Sequence, residues 1–195
     1  MHLRFSDGIA SLLGVLALAG CAPLVTQNPG GKLSPANVVS MDDHDRVLLK
    51  GADVVAYFTE GRHRPGDRQW MSTWEGITFY FSSAENKARF DAAPERYLPQ
   101  FGGYCANGIV YGIPWGGDAD SFALIDGKLY IFGGAGSKAA FMLDPKRNLA
   151  LARQYWESEV KGANALVQRV RRLVLRVPHY KSGAELAAEV ERSRR

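Results

Sequence analysis

The chain has 195 residues, 46% hydrophobic and 23% charged, a balance that can bury one globular core and that excludes disordered, low-complexity or collagen-like chains. Its formal net charge is +4, yet residues 161–195 alone hold nine Lys/Arg against three Asp/Glu, so the rest of the chain is slightly acidic. The basic character belongs to the tail, and with no DNA- or RNA-reading motif present the expectation is no nucleic-acid partner.

Residues 1–20 have the order of a signal peptide. Arg4 supplies a positive start, Ile9 to Ala19 an apolar run too short to span a bilayer, and Leu18-Ala19-Gly20-Cys21 follows. Small residues ahead of that cysteine resemble a bacterial lipobox, which implies lipid on Cys21 and a membrane-anchored mature N-terminus; an ordinary secretory peptide with an incidental Cys21 is the alternative. Ala22 in place of Asp after the cysteine implies a periplasm-facing protein of the outer membrane. Disulfides persist in that compartment, and with Cys21 lipidated Cys105 has no partner within the chain.

Residues 21–40 carry Pro, Gly and small polar residues without hydrophobic period, and read as a lipidated N-terminus and flexible tether to a domain over 41–162. Val47 to Ala56 favours strand apart from Gly51. Gln69–Trp74 and Ile77–Phe81 read as a hairpin turning at Glu75-Gly76. Ser82 and Glu85 have capping-box spacing before a helix that runs to about Ala92. "FALIDGKLYIF" is a second hairpin, because Asp126-Gly127 suits a tight turn in which both residues need positive φ. Helices are expected near Ser137–Leu143 and from Lys146 to Val160.

Residues 163–195 read as a basic amphipathic helical tail. Leu166, Val170, Leu173 and Val177 form a stripe backed by Val167 and Val174, with Arg169, Arg171, Arg172 and Arg176 mostly elsewhere. The stripe is expected to pack on the core with the arginines solvated; contact with anionic lipid or a partner is the alternative. Residues 183–195 read as a further helix. The fold class is α+β: a small antiparallel sheet of two hairpins, a capped helix between them, and C-terminal helices packed on it.

Motif by motif, chemistry is sparse. His44, His63 and His179 have no ligand spacing between them, and "MDDHDR" (41–46) reads as a solvated acidic edge. "DADSFALIDGKL" starts like a calcium loop, but Ala123 and Leu129 stand where that loop requires Gly and Glu. Asp118 and Asp120 are read as turn residues. "GAGSKA" (134–139) fits a dinucleotide fingerprint on paper, yet no βαβ unit follows, so Ser137 is expected to be a plain helix cap. "QFGGYCANGI" (100–109) holds Cys105, with Gly102 and Gly103 either making a sharp bend or clearing space around the thiol. Buried filler and reactive thiol are both open readings.

The stretches "GADVVAYFTEG" (51–61), "WEGITFYFSSAENKARFDAAPERYLPQFGGYCANG" (74–108) and "DGKLYIF" (126–132) resemble the YHS-domain family, in particular its secreted bacterial (seleno)protein branch. The resemblance implies a metal-binding scaffold in other members. Where their pattern has cysteines this chain has Ala56, Ser82 and Asn86, while Tyr80, Phe81, Ser83, Phe90, Pro94 and Tyr97 are kept. The branch carries G-G-Y-C-A, matched by Gly102 to Ala106, and its name implies selenium in some relatives, which favours a functional Cys105. The expected face is therefore the thiol of Cys105 with Tyr104, and Gly102, Gly103, Tyr80 and Trp115 as further ligand-binding candidates, with aromatic walls from Trp74 and Tyr111. The leading expectation is a module that binds a small ligand or a metal ion, copper or zinc, at Cys105. A thiol redox enzyme using Cys105 and an envelope scaffold acting through the tail are the alternatives.

Overall fold

The computed structural model describes residue 28 and residues 30–195. The signal-peptide reading and Cys21 lie outside the described residues. Among them no helix is long and apolar enough to cross a membrane.

The fold is α+β. Strands β1 (Val38–Met41), β2 (His44–Leu48), β3 (Asp67–Trp74) and β4 (Ile77–Phe81) form one sheet in the order β1-β2-β4-β3. The β1–β2 and β3–β4 pairs are antiparallel hairpins, and a parallel contact at Val47 and Thr78 joins them. Each turns on two residues of positive φ, Asp42-Asp43 and Glu75-Gly76. The acidic "MDDHDR" cluster is thus a hairpin turn running into a strand. The strand expected to reach Ala56 stops at Leu48, because Leu49, Lys50 and Gly51 all adopt positive φ.

The tether also ends earlier than composition suggests. Leu33, Ser34, Ala36 and Val38 are buried, and the Asn37 N–H donates to the Gly102 carbonyl at 2.8 Å. A Pro- and Gly-bearing stretch reads as linker on average composition, but two or three apolar side chains over a ready surface suffice to dock it.

Helices α1 (Ala56–Thr59), α2 (Ala84–Ala92) and α3 (Pro94–Tyr97) cover the sheet. Phe90 of α2 packs against Phe79 and Phe81 at 4.5 and 5.1 Å between ring centres. The cap of α2 is Ser83, whose hydroxyl accepts from the Asn86 N–H, one residue later than expected, because Ser82 is engaged elsewhere.

The short helix α4 (Ala106–Ile109) leads to the second hairpin, β5 (Asp118–Ile125) and β6 (Lys128–Phe132), which turns on Asp126-Gly127 as anticipated. It forms its own two-stranded sheet instead of joining the first. Strand β6 explains the division. Leu129 and Ile131 face the core under the four-stranded sheet, whereas Tyr130 and Phe132 face a second core built with α4 and the later helices. A strand buried on both faces needs apolar residues at successive positions, and "LYIF" supplies them.

The chain finishes with α5 (Ala135–Phe141), α6 (Pro145–Tyr155) ending in a π turn (Trp156–Val160), α7 (Ala165–Val174) and α8 (Gly183–Ser193). Asp144 caps α6, and a full capping box of Ser182 and Glu185 starts α8. The tail contradicts the expected packing. Helix α7 seats Ala165, Gln168, Arg169 and Arg172 against the domain, while Leu166, Val167, Val170, Leu173 and Val174 are exposed; of the stripe only Val177, beyond the helix, is buried. The reason is polar: Gln168 donates to the Gly112 carbonyl and to Glu159, Arg169 donates to the Pro114 carbonyl, and Arg172 forks onto Glu159.

Candidate functional site

Cys105 sits between the glycine pair and α4, 3% exposed, and its N–H donates to the Trp115 carbonyl. The thiol is not sealed in hydrocarbon: Sγ lies 3.1 Å from Oγ of Ser137, in the first turn of α5. Ser137 was expected to cap that helix, but Gly134 takes the cap position and the hydroxyl turns to the sulfur.

The other anticipated partners of Cys105 do other work. Gly102 has φ +59, and a methyl group there would collide with the Pro35 carbonyl oxygen; Gly103 accepts from the Asn37 side chain. The pair lets residues 35–37 cross over the loop, which answers why two glycines precede the thiol. Tyr104 is buried, with its hydroxyl donating to the Ala36 carbonyl at 3.0 Å. Tyr80 is buried in β4 with His44 against its ring, and burial, followed by the Asp42 carboxylate, raises its phenol above the ordinary range. Trp115 lies under the Arg169 guanidinium, Trp74 packs on the first core, and Tyr111 sits against His179 and Tyr180. The expected aromatic face is therefore not assembled.

What does gather near the thiol is a groove of about 500 Å³ between α5 and α8, within the range of small-ligand sites. Ser137 and Asn107 stand on one side, and Leu186, Ala187 and Val190 of α8 on the other, with Glu191 and Arg194 at its edge. Asn107 is the distinctive member. It is 8% exposed, lines both this groove and the smaller cavity beside it, and its amide makes no hydrogen bond within the described residues. Its polar atoms are not among the buried unpaired ones of the described residues, so they open on the groove, where a hydrogen-bonding ligand can take the place of water. Sequence reading passed over Asn107 because its signal, an amide opening on a groove, exists only after folding.

A second constellation surrounds Asp53, also unflagged by the sequence. Its buried carboxylate accepts from the N–H groups of Val55 and Ala56, from the N–H and hydroxyl of Ser82, and from the Asn86 side chain, at 2.7–3.2 Å. Ala56, Ser82 and Asn86 are the positions at which the resembling metal binders carry cysteine. Here the backbone N–H of Ala56, the Ser82 hydroxyl and the Asn86 amide converge on a carboxylate whose oxygens are thereby taken. No soft donor is available, so these residues do not fit a thiolate metal centre. The open hollow beside them, about 640 Å³, is lined by charges that pair with one another, Glu60 with Arg64 and Glu85 with Arg89. The Arg62 and Arg64 hydrogen bonds hold the Glu60 carboxyl below its ordinary value against the opposing effect of burial.

Copper or zinc at Cys105 fits no better, since one thiol and one hydroxyl make an incomplete donor set. Among the described residues no group of three or more His, Cys, Asp or Glu is placed to hold a metal ion. Nor does a base attend the sulfur: His63 pairs with Asp120, His179 with the Val110 carbonyl, and His44 packs on Tyr80.

Compared with known proteins, residues 55–101 match the family model described as YHS domain. No curated protein and no solved structure matches the chain. The matched stretch runs from α1 through the β3–β4 hairpin, α2 and α3 to Phe101, so that it takes in Ala56, Ser82 and Asn86, begins just after Asp53 and ends just short of Cys105. Over residues 55–101, then, this chain is similar to the YHS domain.

Proposed function

We propose that this YHS-domain protein binds a small, largely apolar molecule carrying a hydrogen-bonding group in the groove between α5 and α8. The observation that carries the reading is the unpaired, nearly buried amide of Asn107 at that groove. Ser137 supplies a second polar contact, and the Cys105 thiol, 3.1 Å behind it, fixes the direction of its hydroxyl. Cys105 is thus a positioning group in this reading. The apolar wall of α8 sets the preference for hydrocarbon or aromatic surface.

The same proposal locates the protein at the bacterial envelope, periplasm-facing and held by lipid on Cys21, on the support of the Leu18-Ala19-Gly20-Cys21 pattern and the preceding apolar run.

A fragment library screened by amide NMR tests the binding reading. The expected result is fragments that shift the Asn107 side-chain amide and the Ser137 backbone signal, and that cease to bind when Ala187→Trp fills the groove. Fragments that bind equally well to Ala187→Trp, or that collect at the hollow beside Asp53, would overturn it.

A further inference from the structure

Helix α7 is mounted inside out. Its inward side is polar: Gln168 bridges the Gly112 carbonyl and Glu159, Arg172 forks onto Glu159 while lying over the Tyr155 ring, and Arg169 reaches the Pro114 carbonyl while covering Trp115. Outward lie Leu166, Val167, Val170, Leu173 and Val174, up to 75% exposed. At 100° per residue these five occupy one continuous arc, with Arg171 at its border and Arg176 just past its end. A ten-residue helix presenting that much aliphatic surface to water forgoes stabilisation that burying it would bring, unless something covers it.

We infer that α7 lays this face into an anionic lipid surface. The pattern of an apolar arc bordered by arginines is that of a helix lying in the membrane interface, with side chains in the acyl boundary and guanidinium groups among phosphates. Charge selects lipid over a second copy of the chain, since a two-fold pairing of this face would bring Arg171, Arg176 and the rest of a +6 tail against themselves. Chain reach agrees. The Ser34 carbonyl accepts from the N–H of Gly162, three residues ahead of α7, so the N-terminal segment enters the fold beside this helix. Only six residues separate Cys21 from Asn28, at most about 25 Å fully extended. A lipid on Cys21 would therefore keep α7 within touching distance of the bilayer; this point of reach rests on the envelope reading, whereas the face of the helix does not. Docking through α7 would fix the orientation of the domain, which a lipid anchor alone leaves free.

The test uses the full chain carrying Cys21→Ser, so that lipid attachment plays no part, in sedimentation with vesicles of phosphatidylcholine alone or mixed with phosphatidylglycerol. The expected result is co-sedimentation with the mixed vesicles, lost when Val167, Val170 and Val174 are all changed to Glu, and weakened by Arg171→Gln with Arg176→Gln. Circular dichroism and the urea midpoint of the glutamate variant should not move, because the three valines have no partners to lose. Equal binding with and without the glutamates, equal binding to both vesicle types, absence of binding, or a dimer that the glutamates dissolve would each overturn the inference. The mass of envelope-extracted wild-type protein reports separately on Cys21, so failure of the anchor reading and failure of the α7 reading are distinguishable.

Discussion

Five donors on one buried carboxylate make Asp53 a tight polar knot beside the matched stretch, linking the chain ahead of α1 to Ser82 and to Asn86 of α2. Asp53→Asn puts an N–H₂ against at least one of those donors and should lower the unfolding free energy by about 3 kcal/mol, read from urea denaturation. An unchanged midpoint would contradict the knot. Gly102→Ala should cost more than about 1 kcal/mol, since it combines positive φ with a collision at Pro35, and should expose residues 30–37 to proteolysis. Neither role was legible beforehand. The glycine pair announced a special backbone but not that another segment crosses it, and Asp53 in "GADVVAY" resembles any turn aspartate until its partners, 29 and 33 residues away, are brought to it.

At the scale of elements, hairpins were the most readable. Glu75-Gly76 and Asp126-Gly127 encode their turns locally, through the positive φ that the structure shows at all four residues. Helix α7 was the least readable, because an apolar stripe is ordinarily the buried face and nothing in the tail itself reveals that Glu159 and the carbonyls of Gly112 and Pro114 await its polar side. The Glu159 interaction gives this docking a pH signature. Burial acts to raise its carboxyl, but the hydrogen bonds from Arg172 and Gln168 outweigh that and hold it below its ordinary 4.5. A carboxyl lowered on folding adds stability above its unfolded value and loses it as pH falls through the folded one. The wild-type urea midpoint should therefore decline below about pH 4.5, and Glu159→Gln should flatten that decline while lowering the midpoint at pH 7. Parallel pH profiles for the two proteins would contradict the pairing.

Across the whole molecule, the division of labour follows from β6, which seals two cores with one run of alternating side chains. The first core lies under the four-stranded sheet and holds the stretch similar to the YHS domain, with Ser82 and Asn86 closed over Asp53. The second core brings α4, α5 and α8 together, elements drawn from residues 106–193, and the groove forms between them. This is why the sequence pointed to the right neighbourhood through Cys105 but to the wrong companions: Tyr104, Tyr80 and Trp115 are near in sequence or aromatic in type, whereas Asn107, Ser137 and Ala187 meet only in the fold. The Asn107 amide makes no hydrogen bond within the described residues, so removing it separates stability from binding. The decisive measurement is a paired one on Asn107→Ala: the urea midpoint, and the affinity of a groove-binding fragment. The account predicts a midpoint equal to or above that of the wild type with affinity about tenfold weaker, the worth of one hydrogen bond; a destabilised variant that binds the fragment as well as the wild type would contradict it.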